Sequence, residues 1–170
     1  MTTLLLSLIL LLAQAAVPAV RPLPAPLSVA RWWDPPPTPY AAGHRGVDLS
    51  APVGARLRAV ADGRVHYAGQ VAGRGVLSLM LPNGLRTTYE PVRPLVAEGE
   101  RVTAGQPVAV LTEGSHCSDP CLHWGLLAGE VYLNPLILLP RPTPRLLPDA
   151  SGPLPGGTSV GVAPGGVRGR

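Results

Sequence analysis

The chain has 170 residues, the length of one ordinary domain. Its 22 Pro and 20 Gly, against 3 Trp, 4 Tyr and no Phe, exclude long helices, coiled coils and helical repeats. The net charge of +4 sits in the flanks: residues 40–139 hold 8 Arg and 8 acidic residues, whereas Arg21, Arg31, Arg141, Arg145, Arg168 and Arg170 face only Asp34 and Asp149 outside them. A neutral middle with basic ends argues against a nucleic-acid partner, which calls for a basic face. The basic ends read as solvated segments; anionic wall polymer or lipid is the other contact they suit.

Residues 1–19 begin without a charged side chain, run through Leu4–Ala13 as almost pure Leu and Ile, and pass into small residues at Ala13-Gln14-Ala15 and Val17-Pro18-Ala19. This is the pattern of a secretory signal peptide. The alternative is an uncleaved anchor, the one membrane contact the sequence offers; the apolar run is shorter than the roughly 20 residues of a spanning helix. Either way the rest of the chain is expected outside the cytoplasm, as a secreted protein is. Residues 20–39 read as a Pro-rich, extended lead-in.

The domain proper is expected over residues 40–139, as short strands. Arg56 to Ala61 alternates arginines with Leu57 and Ala59, and Asp62-Gly63 turns the chain into Arg64 to Ala68. Val76 to Leu81 is apolar on both faces, as a central strand is. Asn83-Gly84 is a hairpin signal, and Leu85 to Tyr89 returns. Val108 to Leu111 follows the Gly105-Gln106-Pro107 turn, and Leu122 to Leu127 is the last clear strand. Strands at this spacing predict an all-β fold, a sandwich or barrel. Residues 140–170, with 7 Pro, 7 Gly and no apolar period, are expected to form a disordered tail.

Four His occur, at 44, 66, 116 and 123. His44 and Asp48 stand four apart in Gly43-His44-Arg45-Gly46-Val47-Asp48, where Gly46 argues against a helix but a turn can still bring the two side chains together. His123 lies in Cys121-Leu122-His123-Trp124-Gly125; on a strand it shares a face with Cys121, while Trp124 points away into the core. Two imidazoles and one carboxylate from separate segments are a plausible three-ligand zinc set with an open fourth position. The competing reading of the spacing is a surface His44 and a packed His123.

The segments Gly43-His44-Arg45-Gly46-Val47-Asp48, Ala51-Pro52-Val53-Gly54, Ala59 to Val65, Gly99 to Val108, Leu122-His123-Trp124-Gly125 and Tyr132-Leu133-Asn134-Pro135-Leu136 together resemble the lysostaphin-type (LytM domain) zinc metallopeptidase family, in order over about residues 40–139. The resemblance implies a compact antiparallel β domain with a groove, a zinc ion held by His44, Asp48 and His123, and peptides of bacterial peptidoglycan as substrate. It also implies two further catalytic histidines. Their positions hold Cys121, where an HxH motif would begin, and Pro91, in Thr88-Tyr89-Glu90-Pro91.

Two residues are candidates for the vacated proton-handling role. Glu90 neighbours one lost position, although an offset of one residue along a strand is expected to turn its side chain to the other face. His116, in Gly114-Ser115-His116-Cys117, lies on a loop close in sequence to His123. Each is otherwise a solvated side chain. Cys117 and Cys121, the only cysteines, read as a disulfide in an exported chain; the rival reading makes Cys121 a fourth zinc ligand. Trp32, Trp33 and Tyr40 either line a groove wall or cover the barrel end. Three functions therefore compete: a catalytically degenerate domain that binds wall peptides or regulates a cell-wall hydrolase, an active zinc endopeptidase with a substituted base, and a structural secreted β domain with a vestigial site.

Overall fold

The computed structural model describes residues 19–38 and 40–140. The expected signal peptide, apart from residue 19, and the expected tail, apart from residue 140, lie outside the described residues. Eleven strands follow in chain order: β1 Val29–Arg31, β2 Gly46–Ser50, β3 Arg56–Arg58, β4 Gly63–Val71, β5 Arg74–Met80, β6 Leu85–Glu90, β7 Val92–Pro94, β8 Arg101–Val102, β9 Pro107–Leu111, β10 Cys121–Ala128 and β11 Val131–Leu133. A short 3-10 helix, Pro135–Leu138, closes the described chain, its N-terminus capped by Asn134 Oδ1, which accepts from the Leu136 amide. All strand pairings among the described residues are antiparallel, as the resemblance implies. Among the described residues no helix is long and apolar enough to cross a membrane.

The larger sheet runs β1-β2-β10-β6-β5-β4-β8, with β11 pairing β10 beyond the end of β2; the smaller runs β3-β9-β7. β5 is flanked by β6 and β4, the central position its two-faced apolar sequence predicts. Asn83-Gly84 forms the expected connection, with Gly84 at φ +79°. The β4–β5 connection turns at Ala72-Gly73, both at positive φ.

Alternation along the central strands sets one apolar face against the smaller sheet. Val47, Leu49, Leu77, Leu79, Tyr89, Leu122 and Trp124 join Leu57, Val92, Val108, Ala109 and Leu111 in a single core. Trp124 is fully buried, as its place on β10 predicts, and its indole N–H donates to Thr87 Oγ1 at 2.8 Å.

The Pro-rich lead-in packs onto this domain. Val29–Arg31 adds an edge strand to β2, Leu23 is buried in the core, and Arg58 N–H donates to the Pro22 carbonyl. Pro is compatible with an edge strand's surroundings because no inner ladder bond is lost.

Candidate metal centre

The site lies on the other face of the larger sheet and follows from register. Asp48 on β2 and Glu90 on β6 are both direct partners of His123 on the intervening β10, so all three side chains leave the sheet on one face. In the next row Gly46 is paired with Gly125, and Gly125 with Thr88. Residues 48 and 123 are thus brought together by strand pairing, and His44 reaches them from the turn before β2.

His44 is held by the lead-in. Its backbone exchanges both hydrogen bonds with Asp34, and its Nδ1–H donates to the Trp32 carbonyl at 2.7 Å. A carbonyl can only accept, so Nδ1 carries a proton and Nε2 is the ring nitrogen directed inward. That Nε2 lies 3.0 Å from Asp48 Oδ1 and 3.1 Å from His123 Nδ1, and His123 Nδ1 lies 2.8 Å from the same Oδ1. Two ring nitrogens and a carboxylate oxygen converge, an arrangement that calls for protons or a cation among them. Donors about 2.0–2.1 Å from a central tetrahedral ion stand roughly 3.3 Å apart, so a small outward relaxation admits a divalent transition metal. Two imidazoles with one carboxylate suit such an ion, and the Trp32 carbonyl is the kind of outer partner that fixes a ligating imidazole.

Burial alone raises the Asp48 carboxyl pKa, but the hydrogen bonds from His123 and His116, together with the imidazole charges, outweigh it and hold the group at about 2. The carboxylate is ionised throughout the physiological range although it is fully buried.

His116 belongs to this cluster. Its Nε2 lies 2.8 Å from the second carboxylate oxygen, Asp48 Oδ2, and the donor atoms of His44, Asp48, His116 and His123 all stand within 4.8 Å of one another. Glu90 does not belong to it. The expectation that Glu90 faces the opposite side is corrected by its pairing with His123. Its carboxylate is directed instead to Arg74 Nη1, at 3.6 Å. Cys117 and Cys121 are joined in a disulfide, so neither offers a thiolate, and Pro91 is buried where the chain passes from β6 to β7. Trp32 contributes its carbonyl while its ring stays exposed, Trp33 packs partly against the core, and Tyr40 is fully exposed. Nothing in the sequence marks the Trp32 carbonyl or Gly46 as part of the site; Gly46 admits the His123 ring, since a Cβ there would lie 2.7 Å from His123 Nε2.

A groove of about 780 Å³, lined by Gln70, Arg74, Arg93, Thr112 and Glu113 among others, reaches Gly114, two residues before His116.

The family model described as peptidase family M23 matches residues 42–135. An uncharacterised protein of Mycobacterium tuberculosis is 40% identical over 136 residues, covering 76% of this chain and 55% of its own. A peptidoglycan DD-endopeptidase of Vibrio cholerae is 33% identical over 102 residues, covering 59% of this chain and 24% of its own. A murein hydrolase activator of Salmonella dublin is 32% identical over 129 residues, covering 69% and 33%. The chain therefore spans about half the length of the mycobacterial relative and a third or less of the other two. Among solved structures, the catalytic domain of the antimicrobial peptidase lysostaphin from Staphylococcus simulans superposes with a TM-score of 0.58 at 21% identity, over 66% of this chain and 92% of that one, a likeness of fold.

Proposed function

The chain belongs to peptidase family M23, and from that premise we propose that it is an exported domain that engages peptidoglycan peptides over a zinc site while lacking the hydrolytic machinery, and so serves as a wall-binding module or as a regulator of a cell-wall hydrolase. The zinc ligands in this reading are His44, Asp48 and His123. With a fourth position open, zinc bound there would act as a Lewis acid that polarises a carbonyl and acidifies water.

The observation that carries the reading is the state of positions 91 and 121. Hydrolysis needs a group to accept and return a proton and a donor for the oxyanion. Pro91 has no titratable group and no N–H, and the Cys121 sulfur is tied to Cys117. Neither can move a proton or donate to developing charge. His44 holds its orientation through Trp32, and the Asp48 carboxylate stays ionised, so this chain keeps its metal-binding groups in order while the proton-handling positions are vacated. The groove that reaches Gly114 supports the reading. The Arg93 guanidinium in its wall suits a free carboxylate of a wall peptide. The similarity to both a peptidoglycan endopeptidase and a murein hydrolase activator is compatible with this placement.

A second reading, an active zinc endopeptidase, draws on one observation, the presence of His116 at Asp48. Glu90, the other candidate base, is engaged by Arg74. Elemental analysis of the purified chain, run beside co-sedimentation with peptidoglycan and zymography on cell-wall gels, separates the readings. The proposed function predicts stoichiometric zinc, co-sedimentation and no cleared zone. Chelator-sensitive clearing establishes the endopeptidase, and a chain with neither zinc nor wall binding is a structural domain with a vestigial site.

A further inference from the structure

His116 stands on the loop between β9 and β10, in a stretch without strand or helix. A loop histidine whose side chain is a third exposed ordinarily extends into solvent, yet this one turns inward to Asp48 Oδ2. Its ring centroid lies 5.4 Å from that of His123 and 5.9 Å from that of His44. The ring therefore stands on the side where the other donors converge, not behind the carboxylate. A group that merely orients a ligating carboxylate has no need to approach the two imidazole donors, whereas all four donor atoms here lie within 4.8 Å of one another.

The covalent frame explains how a loop residue comes to this position. Cys117, the next residue, is bonded to Cys121, the first residue of β10, and Cys121 shares a strand face with His123 two residues on. The backbone that carries His116 is thus tethered to the strand that carries His123. Resting on the zinc reading above, we infer that His116 is a fourth protein ligand that closes the metal site, and that the Cys117–Cys121 disulfide delivers it.

Several features agree with this inference. Catalytic zinc sites keep three protein ligands and an open position, whereas structural sites are closed by four. His116 is partly exposed on its loop, whereas His44 and Asp48 are buried. Cys121 then has two consequences: it leaves its own position without a proton carrier, and it anchors the loop that fills the open side of the metal.

The test uses the full chain loaded with Co2+ in place of zinc, compared with His116→Ala and with the double variant Cys117→Ser, Cys121→Ser. Visible absorption with added azide reports an open position, X-ray absorption counts imidazoles, and chelator competition gives the zinc Kd. The unaltered protein is expected to show three imidazoles and no azide response. His116→Ala should show two imidazoles, an azide-dependent spectrum, and zinc binding weaker by at least about 10-fold, the lower bound for losing a group that only orients a ligand. The disulfide variant, checked by its thermal transition, should behave like His116→Ala. If that variant fails to fold, His116→Ala alone decides the ligand assignment. Two imidazoles and an azide response in the unaltered protein would overturn the inference while leaving three-ligand zinc binding intact. Failure of the unaltered protein to take up either metal would bring down the zinc reading beneath it.

Discussion

Replacing Gly46 with Ala should damage the site through one methyl group. Gly46 is not at positive φ, so the need for glycine is one of space. A Cβ at this position would stand 2.5 Å from the Trp124 carbonyl oxygen and 2.7 Å from Cε1 and Nε2 of His123. The carbonyl belongs to the adjacent strand and cannot retreat without opening the β2–β10 ladder, so the strain falls on the His123 ring and on the register that pairs it with Asp48. Overpacking of this kind costs about 1–3 kcal/mol, and a displaced ligand weakens metal binding by roughly 10–100-fold, as loss of an orienting partner does. Urea unfolding of the metal-free protein measures the first quantity and chelator competition the second. Gly125→Ala is the control. Its nearest neighbour is the hydroxyl of Thr88, a side-chain atom that can rotate away, so stability should fall less and zinc affinity should hold. If Gly46→Ala bound zinc as tightly as the unaltered chain, with unchanged stability, the placement of the His123 ring would be wrong.

Single changes His44→Ala, Asp48→Ala and His123→Ala should each abolish stoichiometric zinc, read by elemental analysis; full occupancy in His123→Ala would remove that residue from the ligand set. Leu23→Ala should cost about 2–5 kcal/mol in chemical unfolding, the usual range for a buried leucine, because Leu23 lies in the core although it precedes the motif-bearing region; a cost near zero would mean the lead-in is only laid on the surface. The combined variant Pro91→His, Cys117→Ser, Cys121→His should gain measurable peptidoglycan hydrolysis, since a general base is worth roughly 10²–10⁴-fold; no gain, with the fold and metal retained, would show that more than these two groups is missing.

The all-β architecture was legible because its strongest signals are local. Asn83-Gly84 and the apolar run from Val76 to Leu81 place β5 and β6 without reference to anything distant. The turn at Ala72-Gly73 was not legible, since alanine at φ +49° carries no turn signature. The three-residue donor set was recognisable from motif resemblance, whereas spacing left it open, because Asp48 and His123 meet through cross-strand register across 75 residues. Alternation counted through position 91 puts Glu90 on the wrong face, because there the chain leaves β6 for β7 in the other sheet. The lead-in hid its contribution behind its prolines: β1 has only three residues, and Leu23 is a lone apolar side chain between Pro22 and Pro24. His116 was a candidate on sequence proximity alone, and its inward turn follows from a disulfide that fixes the loop in space.

The most direct test of the central claim is zymography of the zinc-loaded full chain on peptidoglycan gels, beside an active family member at equal concentration. No cleared zone is expected from protein that carries one zinc per chain. A zone that appears with zinc and vanishes with chelator would contradict it.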